Sequence, residues 1–328
     1  MKFMALVTFG VASLCAVLVG CGEGRKASSS PPPEVYSIRV EPASLRLQAG
    51  DSAQLAAEAS DLHGEAVGGT PFSFESADQQ IVRVTPTGFV TAPGTTGSTE
   101  VRVAGGGRVS AVPVVVSAGP AARTDVLEAP AKEAAVGESL GTIRLRMTDT
   151  YGNALAERAV TWRVVQGDGR LIDAATRTNA HGSVEATWQA GRVAGAQVLE
   201  FASEGVAPMS FTAVAHAGPP ARLRLQLTNA ADSEPPRIPA GRTSQLVARV
   251  VDALDNPVPQ AEVILDALAA CGFDGGHTST DASGATAPLA WTPRAARVCR
   301  ITARVRNTDI SATLETRVIH EAPASGRQ

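Results

Sequence analysis

Apolar and polar residues alternate in short runs along most of the chain beyond residue 35. Leu55-Ala57-Ala59, Phe72-Phe74, Val82-Val84, Val101-Val103 and Val112-Val114-Val116 put apolar side chains at every second position. The period returns in Ile143-Leu145-Met147, Val160-Trp162-Val164 and Val184-Ala186-Trp188. It returns again in Leu223-Leu225-Leu227, Leu246-Ala248-Val250, Ala287-Leu289-Trp291 and Ile301-Ala303-Val305. Successive side chains of a strand point to opposite faces, so the pattern predicts half-buried antiparallel strands. Gly, Asp, Asn and Pro clusters separate the runs, as turns require. Gly105-Gly106-Gly107 between two runs reads as a hairpin turn. Past the N-terminal segment, no stretch keeps a 3.6-residue period long enough to demand a core helix. The expected class is all-β.

Two junctions divide this pattern. Ala118-Gly119-Pro120-Ala121 and Ala217-Gly218-Pro219-Pro220 each end a Val- or Ala-rich strand, and Gly-Pro breaks regular structure. The segments are 35–118, 119–217 and 218–320, each near the roughly 100 residues of an immunoglobulin-like sandwich. A chain of 328 residues is too long for one small core and suits such a division. The second and third segments look like copies. Asp149-Thr150-Tyr151-Gly152-Asn153 matches Asp252-Ala253-Leu254-Asp255-Asn256, Thr178-Asn179-Ala180-His181-Gly182 matches Thr280-Asp281-Ala282-Ser283-Gly284, and Trp188 matches Trp291. A repeat of this length is a string of domains, not a solenoid of 20–50-residue units. The polar tail 321–328 is expected to fray.

The N-terminus changes the placement of all this. Lys2 precedes an apolar run, Phe3 to Gly20, that ends in Leu18-Val19-Gly20-Cys21. A cysteine at a small-residue cut point resembles the lipobox of bacterial lipoproteins. The resemblance implies removal of residues 1–20 and acylation of Cys21, and so a membrane partner through that anchor. Each acyl chain contributes about 0.8 kcal/mol per buried methylene, and two or more hold stably. The competing readings are a plain secreted signal and an uncleaved anchor, since the run is at the lower edge of what spans a bilayer. Gly10, Ser13 and Cys15 inside it favour cleavage. Residues 21–34, rich in Ser and Pro, read as a disordered tether extending at about 3 Å per residue. By the same resemblance, Gly22 in place of Asp implies the outer membrane where the envelope has two membranes, and the outer face of the membrane where it has one.

Removing Cys15 and Cys21 leaves Cys271 and Cys299. Outside the cytoplasm, two remaining thiols are expected to form a disulfide. Val263, Leu265, Ala267, Ala269 and Cys271 share one alternation, and Cys299, Ile301, Ala303 and Val305 another. Both thiols thus face inward if the first strand persists to Cys271. Closing that loop contributes about 3.5 kcal/mol in the chain-entropy model. A reactive thiol pair would need an electropositive site.

The repeated motifs resemble bacterial Ig-like domains of the invasin/intimin type, which carry a D-x-x-G-N-P-V turn and then a T-(D/N)-x-x-G turn. Here the first is Asp149, Gly152, Asn153, Ala154, Leu155 and, in the second copy, Asp252, Asp255, Asn256, Pro257, Val258. Asp255 stands where the family has Gly, and Asp tolerates a left-handed turn. The first segment is similar to another bacterial Ig-like group (group 2) through Pro42-Ala43-Ser44-Leu45, Ala49-Gly50-Asp51-Ser52-Ala53-Gln54-Leu55 and Thr87-Gly88-Phe89-Val90-Thr91-Ala92. That group has Trp where Phe72 or Phe74 stands. The resemblance implies β-sandwiches of surface stalks and adhesins, without catalytic residues.

Remaining chemistry reads as structural. Net charge is −3 with no basic run, which disfavours nucleic acid. Asp149, Asp168, Asp252, Asp255, Asp274 and Asp281 could suggest calcium, but no loop has the dense spacing of a calcium site, and Asp favours turns. The five histidines, His63, His181, His216, His277 and His320, lie in or beside predicted turns without zinc spacing. His277-Thr278-Ser279-Thr280-Asp281 cannot form a triad from neighbours in an extended loop. With aromatics at 4%, Trp162, Trp188 and Trp291 are expected in cores and not on a carbohydrate platform. The expected protein is a cell-envelope lipoprotein with no cofactor, metal or catalytic residue. Its three sandwiches act as an adhesive, spacer or structural element toward a protein or envelope polymer. The rival reading is a periplasm-facing subunit of a secretion or polysaccharide export assembly.

Overall fold

The structure is a computed structural model describing residues 34–228, 235–267, 271–273, 275–294 and 297–320. Cys21, the segment 1–20, most of the tether and the tail 321–328 lie outside the described residues. Among the described residues, no helix is long and apolar enough to cross a membrane.

The first module contains β1 (Ser37–Glu41), β2 (Leu45–Gln48), β3 (Ser52–Gln54), β4 (Ala56–Ser60), β5 (Ser73–Ser76), β6 (Arg83–Val84), β7 (Phe89–Thr91), β8 (Gly97–Gly105) and β9 (Arg108–Ser117). The sheet β2-β9-β8-β5 faces the short sheets β1-β4 and β3-β7-β6 across a core that includes Val40, Leu55, Val90, Val103 and Val114. Gly105 pairs with Arg108, so Gly106 and Gly107 form a two-residue hairpin turn, both with positive φ (54° and 76°). That is the twist-matched geometry glycine favours.

The second module contains β10 (Arg123–Glu128), β11 (Glu133–Ala135), β12 (Ser139–Thr148), β13 (Val160–Gln166), β14 (Arg170–Ile172), β15 (Ser183–Gln189), β16 (Gly195–Ser203) and β17 (Met209–His216). Its sheets run β10-β12-β15-β14 and β11-β17-β16-β13. This is the strand order of an immunoglobulin sandwich. The alternation does what the pattern requires: β17 buries Phe211, Ala213 and Ala215 and exposes Thr212, Val214 and His216.

The third module contains β18 (Arg222–Thr228), β19 (Arg237–Pro239), β20 (Ser244–Val251), β21 (Glu262–Ala267), β22 (Gly276–Ser279), β23 (Leu289–Trp291), β24 (Val298–Val305) and β25 (Ser311–Ile319). Its sheets run β18-β20-β23 and β19-β25-β24-β21-β22. In all three modules a short early strand joins the last strand in parallel: β2 with β9, β11 with β17, and β19 with β25. The second and third modules differ at one edge. β14 joins the first sheet of its module, beside β15, whereas β22 joins the second sheet, beside β21. The chain is therefore three tandem immunoglobulin-like sandwiches, each with its own core.

Trp188 and Trp291 are fully buried, as expected of core aromatics. Trp162 is half-buried, its ring edge-on to Phe201 at 4.9 Å and its Nε1 donating to Ala175 O at 3.0 Å. Cys271 and Cys299 are joined, with Cα atoms 5.8 Å apart, and both are buried. The route differs from the sequence expectation. β21 is described through Ala267, residues 268–270 lie outside the described residues, and Cys271 itself belongs to no strand. Cys299 does follow the alternation of β24, with Ile301, Ala303 and Val305. The carbonyl of Cys271 accepts from Trp291 Nε1 at 2.9 Å. Trp188, the equivalent tryptophan, buries its Nε1 with no partner among the described residues.

Candidate functional site: the two interdomain joints

The residues that gave the repeat its signature sit where one module meets the next. In the first joint the carboxylate of Asp149 is 3% exposed and accepts four hydrogen bonds. Oδ1 receives the backbone N–H of Tyr151 and Asn153, both at 2.9 Å. Oδ2 receives Asn153 Nδ2 at 2.8 Å and, from the linker, Gly119 N–H at 2.9 Å. An Asx turn alone would need only the first two. The bond to Gly119 ties the turn to the connection between modules. Asn153 Nδ2 also donates to Gly94 O of the first module at 2.7 Å.

The second joint repeats the arrangement atom for atom. Asp252, 1% exposed, receives Leu254 and Asn256 N–H at Oδ1, both at 2.8 Å. Its Oδ2 receives Asn256 Nδ2 at 2.9 Å and the linker Gly218 N–H at 2.8 Å. Asn256 then grips the second module from two sides. Its Nδ2 donates to Arg192 O and its Oδ1 accepts from Ala194 N–H, each at 2.8 Å. The receiving loop is shaped by Asp168, whose carboxylate accepts the N–H of Arg192 at 3.0 Å and of Val193 at 3.2 Å.

The electrostatics follow from this geometry. Burial pushes the carboxyls of Asp149 and Asp252 up. The hydrogen bonds from Asn153 and Gly119, and from Asn256 and Gly218, outweigh it and hold both below the ordinary value of 3.8. For Asp168 the desolvation is likewise overcome, by the N–H of Arg192 and Val193. These carboxylates are anions held by main-chain N–H groups and, at Asp149 and Asp252, by an asparagine side-chain amide as well. Among the described residues no group of three or more His, Cys, Asp or Glu side chains could hold a metal. Asp274 lies outside the described residues.

The two joints also differ where Tyr151 stands. The ring of Tyr151 lies against the backbone of Gly50 and Gly94, where a Cβ would come within 2.6 Å of Oη and 2.5 Å of Cδ1. The first module thus presents two glycines to one aromatic ring. Leu254 takes the equivalent place in the second joint. There a cavity of about 400 Å³ remains, lined by Asp168, Arg170, Gln189, Arg192 and Leu254.

The second repeated motif supports the first. The hydroxyl of Thr178 donates to Leu155 O and accepts from Arg158 N–H. Thr280 repeats this with Val258 O at 2.6 Å and Ala261 N–H at 2.8 Å. Asn179 and Asp281 cap the turns that follow. Gly182 (φ 71°) and Gly284 (φ 72°) close them against the strand that leads into each joint turn. A Cβ there would come within 2.5 Å of Met147 O and 2.6 Å of Val250 O. Asp255 adopts φ 69° where the first copy has Gly152 at 86°, as expected of an aspartate in that place. His277 lies within β22, opposite Ile264, and not in a turn. It makes no hydrogen bond to Asp281 among the described residues, and Asp281 is engaged by Ser283 and Ala285.

No protein-family description matches the sequence, and no curated protein does. Among solved structures the chain is similar to the Escherichia coli adhesin FdeC, at 17% identity and a TM-score of 0.44, over 88% of this chain and 98% of that one. It is similar to Yersinia pseudotuberculosis InvD at 13% identity and a TM-score of 0.41, over 85% and 96%. Domains 4 and 5 of the S-layer protein SbsC match at 20% identity and a TM-score of 0.29, over 56% and 98%. At these identities and TM-scores none of these proteins assigns an activity to this chain.

Proposed function

We propose that this chain is a cell-envelope lipoprotein, acylated at Cys21 and held on an outer membrane or cell surface. Its three immunoglobulin-like modules form a stiff, non-catalytic arm that spaces or presents a binding surface. The observation that carries this reading is the duplicated clasp. Asp149 with Asn153, and Asp252 with Asn256, each join a turn, a linker amide and the end loop of the preceding module. Independent domains on loose linkers have no use for buried carboxylates at their junctions, because each buried charge must be fully hydrogen-bonded to be tolerated. A rod has such a use, since end-to-end reach depends on every joint holding its angle. The Cys271–Cys299 bond supports the extracytoplasmic placement.

Two measurements test the reading. Intact mass of the native protein should begin at Cys21 and include diacylglyceryl and acyl mass. A chain starting upstream, or without acyl mass, removes the anchor. Protease accessibility in intact cells should cleave the arm if it faces outward, whereas full protection would place it on the periplasmic side.

A further inference from the structure

Arg224 and Arg249 stand directly opposite each other in the antiparallel β18–β20 pair. Facing residues in such a pair share one side of the sheet, close enough for like charges to repel. The second module places Asp125 opposite Arg146 at the same point, three residues before its own joint turn. One copy thus pairs opposite charges where the other juxtaposes two guanidinium groups.

Neighbouring carboxylates relieve the juxtaposition only in part. Arg222, next along the same face, is neutralised by Asp255 at 2.8 Å and also donates to Asp252 O. Asp281 feels the field of Arg249, but its carboxylate already accepts from Ser283 and Ala285. Among the described residues, Arg224 and Arg249 make no hydrogen bond or ion pair. Together with Gln226, Val251 and Asp255 they line an open concavity of about 230 Å³.

We propose that this concavity binds an oxyanion carried on a polysaccharide, a carboxylate or a sulfate ester. Two guanidinium forks supply parallel N–H donors that match such groups, and an anion between them removes the like-charge repulsion. Gln226 adds an uncharged hydrogen-bonding group for a neighbouring hydroxyl. The size is below that of drug-sized pockets, so it suits one charged unit of a chain. A phosphodiester polymer would call for a row of cations. Here only two arginines converge, neither in a direct ion pair among the described residues, Asp255 stands at the rim, and the net charge is −3. The inference concerns the third module alone and stands whether or not the chain is a rod.

The test uses the full chain and three probes: dextran sulfate, polygalacturonate and neutral dextran, titrated at low salt. Binding to one or both charged polymers, but not to neutral dextran, is expected, and the sulfate and carboxylate arms separate the two sources. Arg224→Asp recreates the second module's charge pairing and should weaken binding at least tenfold without lowering the melting temperature. Arg46→Asp, on the exposed face of β2, makes the same charge change elsewhere and should leave binding within twofold. Asp125→Arg should create a second site and raise the stoichiometry. Absence of binding to both charged polymers overturns the proposal, as does an equal loss in Arg46→Asp and Arg224→Asp.

Discussion

Asn256 of the third module donates from Nδ2 to the carbonyl oxygen of Arg192 in the second, at 2.8 Å, across a linker that neither residue belongs to. Its Oδ1 takes the N–H of Ala194. One primary amide therefore satisfies a donor and an acceptor of a single loop, a match that an ester or a carboxylate could not make.

Asn256→Ala should expose that loop. The Ala194 amide should lose its hydrogen-exchange protection by roughly fivefold, the loss expected from about 1 kcal/mol per hydrogen bond. Protection of Ala248 and Val250 in the third core should stay unchanged. Unaltered exchange at Ala194 would mean that the bond is not kept in solution.

Asp149 and Asp252 should carry an acid-dependent share of stability. Both carboxyls lie below 3.8 in the folded chain. Their contribution is therefore complete above that value and is lost as pH falls past it and through the folded pKa. Asp252→Asn should cost about 2 kcal/mol at pH 7, because an amide cannot accept four hydrogen bonds as a carboxylate does. It should also flatten the melting-temperature slope below pH 4. Urea unfolding at pH 7 and pH 3 measures both effects.

Gly94→Ala should disturb the first joint through Tyr151, against whose Cδ1 the new Cβ would press. The cost should shrink in a Tyr151→Ala background, where only the strain of φ 140° remains. Additive costs in the double variant, read by urea denaturation of the full chain, would show that the ring does not press on Gly94.

Cys271→Ser with Cys299→Ser should lower the stability of the third module by about 3.5 kcal/mol, the entropy of closing a loop of this size. The first two calorimetric transitions should not move, because the three cores are separate.

Much of this architecture could be read from residue types. The alternation located β12, β13, β15, β20 and β24, and Gly106-Gly107 marked its hairpin. The Asp-Asn and Thr-Gly motifs were visible as turns. Their part in the joints was not, because Asn153 and Asn256 bind main-chain atoms of Gly94, Arg192 and Ala194, and a backbone carbonyl carries no sequence signal. Tyr151 looked like a turn residue for the same reason: its partners are two glycines that mark turns wherever they occur. The sheet switch between β14 and β22 was hidden, since a short edge strand alternates equally well beside either neighbour. Cys271 is buried, as the alternation predicts, although it belongs to no strand; its bond to Cys299 and the hydrogen bond from Trp291 Nε1 hold it there.

Small-angle scattering of the full chain, compared with the Asn153→Ala/Asn256→Ala variant, reads whether the two clasps fix the angles between modules. If the clasps hold the modules in line, the native chain should scatter as one extended particle, and the variant should show a shorter mean reach with a broader distance distribution. A native curve that already requires a wide ensemble of intermodule angles, unchanged by the two substitutions, would contradict it.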